Sequence, residues 1–355
     1  MAKFTEIFED VTKQGTKIPT NLYLENGLYP IIDQGQSEIA GYTDQTEGLF
    51  TDIPAIIFGD HTRIIKYVDT PCFLGADGVK LLKAKDDNAN YKYLYYALCN
   101  ADIPNTGYNR HFKWLKEIEI PDYSIEEQNS IVAQLEKIDT LKHLRKQQLS
   151  KLDELVKSRF IEMFGDYRIN EKGFDCKTGS ELFKFSSGKF LPEEKRLNEG
   201  IPVYGGNGIA WYTSESLVDY PTIIIGRVGA QCGNIHAVTT PVWITDNAIY
   251  IKEQKTNAYT LEFLTELMRM MDFYQYADFS GQPKITQKPL ETLNYIMPPI
   301  ELQNEYTAFV KQTDKSKFEI QRSLEKLETL KKALMQKYFG QSKSRRKQDK
   351  NQLFG

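Results

Sequence analysis

Residues able to do covalent chemistry are scarce in this sequence, and their spacing is poor. There is no GxxxxGK[ST] phosphate loop and no HExxH metal pair. The four histidines, His61, His111, His143 and His236, are far apart and accompany no cysteine cluster, so no metal site is expected. An adenine methyltransferase needs an Asn/Asp-Pro-Pro-aromatic motif; the Pro-Pro here, Met297-Pro298-Pro299-Ile300, reads as a helix start. Gly205-Gly206-Asn207-Gly208 is too short for a dinucleotide fingerprint and reads as a tight turn. One fragment resembles half of a nuclease motif, Glu193-Glu194-Lys195 with Asp175 upstream, against the plainer reading of a solvated loop.

Residue types suited to holding nucleic acid are better represented. Asn105-Thr106-Gly107-Tyr108-Asn109-Arg110-His111-Phe112-Lys113-Trp114-Leu115-Lys116 sets cations, amides and aromatics after a glycine. Phe279-Ser280-Gly281-Gln282-Pro283-Lys284-Ile285-Thr286-Gln287-Lys288 does the same later in the chain. Arg can bridge the guanine acceptors, Asn and Gln can pair with adenine, and Lys suits phosphate. The candidate DNA-contact set is therefore Tyr108, Asn109, Arg110, His111 and Lys113, with Gln282, Lys284, Gln287 and Lys288. Lys17, Gln34 and Gln36, and later Lys189 and Asn207, join it from turns near the start of each half. Arg63 and Lys66, and Arg227 and Gln231, follow a short apolar run in each half. An ordinary polar surface turn is the competing reading for each.

Those two stretches occupy matching places because the sequence is one unit used twice. Ile125-Glu126-Glu127-Gln128-Asn129 returns 175 positions later as Ile300-Glu301-Leu302-Gln303-Asn304. The same shift pairs Asp139 with Asp314, Leu149 with Leu324, Leu152 with Leu327, Leu155 with Leu330 and Phe164-Gly165 with Phe339-Gly340. Upstream, Pro54-Ala55-Ile56-Ile57-Phe58-Gly59 resembles Pro221-Thr222-Ile223-Ile224-Ile225-Gly226 with a drifting offset, as loops tolerate. The repeat gives unit A (1–165), unit B (166–340) and a tail.

Each unit opens with short strands and turns and closes with a long helix. Ala55–Phe58 and Thr222–Ile225 read as buried strands; residues 91–98 and 259–268 read as short helices. The long helices start at Ser124-Ile125-Glu126-Glu127 and Pro298-Pro299-Ile300-Glu301 and end at Gly165 and Gly340. Leu149, Leu152, Val156 and Met163, with Arg145 and Arg159 as polar members, follow steps near 3.5 residues. So do Ile320, Leu324, Leu327 and Leu334, with Lys331 in the seam and Tyr338 continuing it. Each stripe needs a partner helix, and the other copy supplies one; packing of each helix on its own domain is the alternative. At 1.5 Å per residue such a helix runs about 57 Å, so an antiparallel pair would separate two similar heads by more than a turn of B-DNA.

The expected fold class is α+β: two mixed α/β domains joined by two long antiparallel coiled-coil helices, with an internal pseudo-two-fold repeat. Its segments are 1–122, domain 1; 123–165, coiled-coil helix 1; 166–298, domain 2; 299–340, coiled-coil helix 2; and 341–355, a basic tail expected to be disordered. Of 355 residues, 45 are Lys or Arg and 48 Asp or Glu, a net charge of −3. The tail carries +4 and residues 1–340 carry −7, so bulk charge alone gives no sign of a nucleic-acid partner. No run approaches the ~18 apolar residues of a membrane span. Met1-Ala2-Lys3-Phe4 leads directly into Glu6, Glu9 and Asp10, with no visible signal peptide. Cys72, Cys99, Cys176 and Cys232 form no CxxC pair. The expectation is a reduced, cytoplasmic protein.

Over residues 1–340 the chain resembles the specificity subunit (HsdS) of type I restriction–modification systems. The resemblance rests on the duplicated domain plus helix, the Gly107–Phe112 and Ser280–Ile285 turns, the Pro-x-x-Ser-Ile-Glu-Glu-Gln and Pro-Pro-Ile-Glu-Leu-Gln helix starts, and the closing Phe-Gly. It implies a non-catalytic protein whose two domains each read half of a bipartite, asymmetric double-stranded DNA sequence, with the coiled coil setting the spacer. It also implies two modification (HsdM) subunits that carry S-adenosylmethionine and methylate adenine, and motor/nuclease (HsdR) subunits. A nuclease using Asp175, Glu193 and Lys195, and a coiled-coil scaffold whose heads bind protein, are the competing classes.

Overall fold

In the computed structural model, residues 1–75, 78–107 and 109–340 are described. The chain divides into two compact units, Met1–Arg145 with the chain from Arg322 onward, and Lys146–Gln321. The tail 341–355 and Tyr108 lie outside the described residues. Among those described, no helix is long and apolar enough to cross a membrane.

Unit 1 begins with β1 (Ala2–Lys3), α1 (Phe4–Ile7), β2 (Phe8–Asp10), β3 (Tyr29–Ile32) and β4 (Gly41–Thr43). It continues with β5 (Ala55–Gly59), β6 (Ile65–Val68), β7 (Phe73–Leu74), β8 (Val79–Ala84), α2 (Tyr91–Cys99), α3 (Phe112–Leu115) and β9 (Glu119–Ile120). The first long helix, α4, spans Ile125–Phe164, and its first half belongs to this unit. Three sheets form, in the orders β2-β8-β5-β6, β4-β3-β7 and β1-β9. The Ala-Ile-Ile-Phe run of β5 is apolar throughout because this central strand is buried at every residue. β3 pairs antiparallel with β4 and parallel with β7, so the turn after β3 emerges beside the end of β7.

Unit 2 repeats that topology strand for strand. It contains β10 (Asp175–Thr178), α5 (Gly179–Leu182), β11 (Phe183–Ser187), β12 (Ile201–Gly205) and β13 (Gly208–Thr213). Then come β14 (Thr222–Gly226), β15 (Ile235–Val238), β16 (Trp243–Ile244), β17 (Ala248–Gln254), α6 (Leu261–Met270), α7 (Gln287–Thr292) and β18 (Asn294–Met297). The second long helix, α8, spans Ile300–Phe339. The sheet orders are β11-β17-β14-β15, β13-β12-β16 and β10-β18, the counterparts of those in unit 1. The fold class is thus mixed α+β with a duplicated sheet plan and two 40-residue helices.

The repeated glutamine at the helix starts has a local purpose. Gln128 Nε2 donates to the Tyr123 carbonyl at 2.9 Å, and Gln303 Nε2 donates to the Pro298 carbonyl at 2.9 Å. Each locks the incoming chain five residues back. Ser124 and Glu127 add a reciprocal capping pair, with the Glu127 amide donating to Ser124 Oγ and the Ser124 amide to Glu127 Oε2. At the other end Gly165 takes φ +74°, and its amide closes on the Ile161 carbonyl at 2.8 Å.

Both units contain a piece of each long helix, running antiparallel. In unit 1, Lys331 Nζ donates to both Asp139 oxygens at 2.5 and 2.7 Å, and Lys142 meets Glu328 at 3.4 Å. Tyr96 Oη, from α2, donates to the same Asp139 carboxylate at 2.9 Å. In unit 2, Lys317 meets Asp153 at 2.6 Å, and the Arg159 guanidinium lies 6.0 Å from the Phe309 ring centroid. Of the expected seam, Val156, Met163 and Leu324 are buried, while Leu149, Leu152, Ile320, Leu327 and Leu334 are half-buried.

Helix ownership differs from the simple division at residues 165 and 340. Phe339, at the end of α8, packs in unit 1 with its ring 5.3 Å from Tyr93 of α2. Phe164, at the end of α4, packs in unit 2 with its ring 4.6 Å from Phe263 of α6. Each helix starts beside its own domain and ends in the core of the other copy's domain. The physical reason is antiparallel pairing: a helix lying along its reversed partner must finish where that partner begins.

Phe160 shows the strength of this docking. It is fully buried, 5.6 Å from the Tyr306 ring and stacked 5.5 Å from Phe263. Phe160→Ala should destabilise unit 2 by about 3–5 kcal/mol, measured by chemical denaturation. Leu155→Ala, at a position 47% exposed on the same helix, should cost under ~1 kcal/mol.

Candidate nucleic-acid interface

Three turns converge in each unit, and the same backbone bonds hold them. In unit 1 the Asp60 amide, just past β5, donates to the Gly78 carbonyl at 2.6 Å. The Asp60 carbonyl in turn accepts the His111 amide at 2.8 Å. In unit 2 the Arg227 amide donates to the Asn247 carbonyl at 2.9 Å, and the Arg227 carbonyl accepts the Ile285 amide at 2.9 Å. The loop before α3 or α7 is thereby latched to the turn leaving the central strand. Asp60 and Arg227 hold equivalent places, as do His111 and Ile285.

The glycine ending each central strand makes room for the neighbouring turn. A Cβ on Gly226 would lie 2.3 Å from the Gln231 carbonyl oxygen and 2.8 Å from that of Gly206. A Cβ on Gly59 would meet Thr62 Oγ1 at 2.2 Å and the Gln34 Cβ at 2.8 Å. Gln34 is half-buried, where its Oε1 accepts the His61 amide at 3.2 Å and its carbonyl accepts Thr62 Oγ1 at 2.7 Å. The lysine turns join through the short parallel strand. Lys17 bridges Leu74 of β7, and the Lys189 amide donates to the Ile244 carbonyl of β16 at 2.8 Å.

Among the expected contact residues, Lys17, Gln36, Asn109, Arg110 and Lys113 in unit 1 are exposed. So are Lys189, Asn207, Gln231, Gln282, Lys284 and Lys288 in unit 2. Arg63 and Arg227 are half-buried and partly engaged, donating to the Ile103 carbonyl at 3.1 Å and the Asp246 carbonyl at 3.2 Å. Gln231 accepts from Asn234 Nδ2 at 2.5 Å.

Two expectations are corrected by burial. Lys66 is 3% exposed, and its Nζ donates to the Ser37 carbonyl at 2.6 Å with Asp33 at 3.5 Å. A cation so enclosed ties the turn after β3 to β6 and cannot reach a phosphate. His111 has no exposed surface; its Nδ1 lies 3.0 Å from the Asp60 carbonyl oxygen. It fills the place that Ile285 fills in unit 2, as part of the latch. Gln287 is half-buried with its amide against Ser187, leaving it little reach outward. Tyr108 lies outside the described residues.

The sequence did not single out Asp60. It is 3% exposed, and its Oδ1 accepts the Phe112 amide at 2.7 Å, capping α3. The signal was its place directly after the strand-ending Gly59. In the nuclease-like fragment, Lys195 is paired to Glu215 at 2.9 Å and Glu193 to Arg196 at 3.1 Å. Among the described residues no three His, Cys, Asp or Glu side chains group as a metal site.

His236 on β15 abuts the unit 2 turns, with its ring 5.9 Å from Tyr204 and 3.5 Å from where a Gly208 Cβ would lie. Desolvation holds its pKa below the ordinary 6.5, reinforced by nearby Arg269 and opposed by a backbone bond at Gly206.

Comparison with known proteins fits this geometry. The sequence matches the type I restriction modification DNA specificity domain twice, over residues 1–154 and 171–332. The chain belongs to that family, as a type I restriction–modification specificity subunit with two target-recognition domains. A Mycoplasma genitalium protein provisionally named a type I specificity subunit is 24% identical across 96% of this chain and 94% of its own length. The Escherichia coli EcoprrI specificity subunit is 30% identical over 36% of this chain and 32% of its own. The chain thus spans about a third of that relative and nearly all of the Mycoplasma one. The crystal structure of a type I system S subunit from M. genitalium superposes with a TM-score of 0.63 at 22% identity, over 95% of both chains. A structure from work on complex assembly and conformational transition of the type I system gives 0.54 at 16% identity, with the same coverage. Both are likenesses of fold.

Two outcomes test the site's construction. Gly226→Ala presses on backbone oxygens and should destabilise unit 2 by about 1–3 kcal/mol. Gly59→Ala meets side-chain atoms and should cost less, both read by denaturation. For His236, the folded state binds its proton less readily than the unfolded chain. Stability is therefore full above pH 6.5 and falls as pH drops below it. His236→Gln should flatten that slope in thermal melts across the interval.

Proposed function

We propose that unit 1 reads one half of a bipartite, asymmetric DNA target and unit 2 reads the other. The observation that carries this reading is the repeated latch: identical backbone bonds at Asp60/His111 and Arg227/Ile285, with different side chains displayed around them. A common scaffold bearing different cations and amides suits two different half-sites. Arg110 and Lys113 serve the first, with Lys17 and Gln36 alongside. Gln282 and Lys284 serve the second, with Lys189 and Asn207 alongside. Base-edge contacts from such residues carry sequence, while the lysines contribute phosphate contacts that position the duplex.

In this reading the chain performs no covalent step and works in the cytoplasm. Two modification subunits (HsdM) supply S-adenosylmethionine and methylate adenine after flipping it from the stack. Motor/nuclease subunits (HsdR) add cleavage, and the paired helices set the spacer. The body's charge of −7 limits binding by the chain alone, so partner subunits contribute phosphate contacts.

Co-expression with the neighbouring methyltransferase, followed by mapping of methylated adenines, should return one bipartite motif. Arg110→Ala with Lys113→Ala should relax or weaken one half-site, by about 1–3 kcal/mol for each lost base contact. Gln282→Ala with Lys284→Ala should act on the other half alone. Equal loss at both halves in either variant would defeat the assignment of one unit to one half-site.

A further inference from the structure

One tight turn of unit 1 grips both ends of the candidate recognition loop. The turn joins β5 to β6, and two backbone bonds close it. The Arg63 amide donates to the Gly59 carbonyl at 2.7 Å, and the Gly59 amide to the Ile64 carbonyl at 2.8 Å. Asp60 holds the far end of the loop: its carbonyl accepts the His111 amide and its carboxylate the Phe112 amide. Arg63 holds the near end, with Nη1 donating to the Ile103 carbonyl at 3.1 Å. Residues 104–110, Asn109 and Arg110 among them, run between those two grips.

Arg63 reaches Ile103 from an unfavourable backbone. Its φ is +63°, in the left-handed region, where a residue with a Cβ crowds the main chain. In unit 2 the same place is taken by Gly233, at φ +86°, with its amide closing on the Gly226 carbonyl at 2.8 Å. A Cβ on Gly233 would fall 2.6 Å from the Tyr274 amide nitrogen, so unit 2 admits no side chain there. It needs none, because its loop closes on itself. The Asp278 amide donates to the Lys284 carbonyl at 2.8 Å, and the Lys284 amide to the Asp278 carbonyl at 3.1 Å. Counted back from the latch residues, Ile285 in unit 2 and His111 in unit 1, the counterpart of Asp278 is Pro104. Proline has no N–H to donate, so the neck of the unit 1 loop cannot close by the same pair of bonds.

We propose that Arg63 is the positioning residue of the unit 1 recognition loop. Its guanidinium supplies, at the carbonyl just before Pro104, the closure that proline removes. Its part in specificity rests on the reading that unit 1 recognises one half-site: Arg63 orders Asn109 and Arg110 without itself touching a base. A loop held at both ends loses less conformational freedom on meeting DNA and presents its side chains in one geometry. Unit 1 keeps a crowded left-handed residue because its side chain acts. Unit 2, whose loop closes by its own backbone, keeps glycine.

Arg63→Gly in the full chain tests this. The matching turn of unit 2 already accepts glycine, so the variant should melt within about 3 °C of the parent. Hydrogen exchange without DNA should show the amides of Gly107, Asn109 and His111 exchanging on the order of tenfold faster. With the neighbouring methyltransferase co-expressed, discrimination against base changes in the unit 1 half-site should fall on the order of tenfold, with the unit 2 half-site unchanged. Adding Pro104→Asp, which returns the missing N–H, should restore slow exchange and discrimination together. Unchanged exchange with lost discrimination would overturn the proposal, since Arg63 would then touch the DNA itself. Faster exchange with full discrimination would overturn it too, leaving Arg63 a brace of the fold. Because exchange is read without DNA, the clamp is judged apart from the half-site reading, which Arg110→Ala with Lys113→Ala tests in parallel.

Discussion

Everything in this molecule depends on how the two long helices end. Each has an apolar stripe that water would disfavour, and each is relieved by the other running antiparallel to it. Antiparallel pairing obliges every helix to finish beside the domain where its partner begins. Phe339 therefore docks on Tyr93, more than two hundred residues upstream, and Phe164 docks on Phe263. The domain cores are completed by these borrowed helix ends. Unit 1 is assembled from two separate stretches of sequence, and unit 2 is the stretch Lys146–Gln321 between them.

The same constraint explains where variation is tolerated. The helix starts hold matching glutamines, Gln128 and Gln303, each clamping the chain five residues back. The latches around Asp60 and Arg227 also match, because they are made by backbone atoms and survive a change from acid to cation. Side chains on the outer surface of those turns face no such demand. A scaffold fixed by main-chain bonds can carry Asn109, Arg110 and Lys113 in one copy and Gln282 and Lys284 in the other without refolding.

Much of this was legible in the residues. The 175-residue repeat, the helix starts and the closing Phe-Gly pairs follow from local patterns, since a helix tolerates neither insertions nor loss of its stripe. The buried strands ending in Gly59 and Gly226 were visible for a similar reason, an apolar run stopped by glycine. The candidate turns were found through composition, and composition cannot tell an outward side chain from an inward one. Lys66 and His111 carry the right chemistry for DNA yet are spent on Ser37 and Asp60.

By itself, then, the sequence determined the duplication, the long helices, the mixed α+β class and the neighbourhoods of the candidate turns. These are short-range properties, set by periodicity, caps and apolar runs. The tertiary structure decided which helix end completes which core, which turns meet, and which cations remain at the surface. Those outcomes depend on contacts between residues far apart in the chain. Lys331 illustrates the difference. Its polar place in the seam was readable, but its partners, Asp139 and through it Tyr96, exist only once two distant helices and α2 have packed.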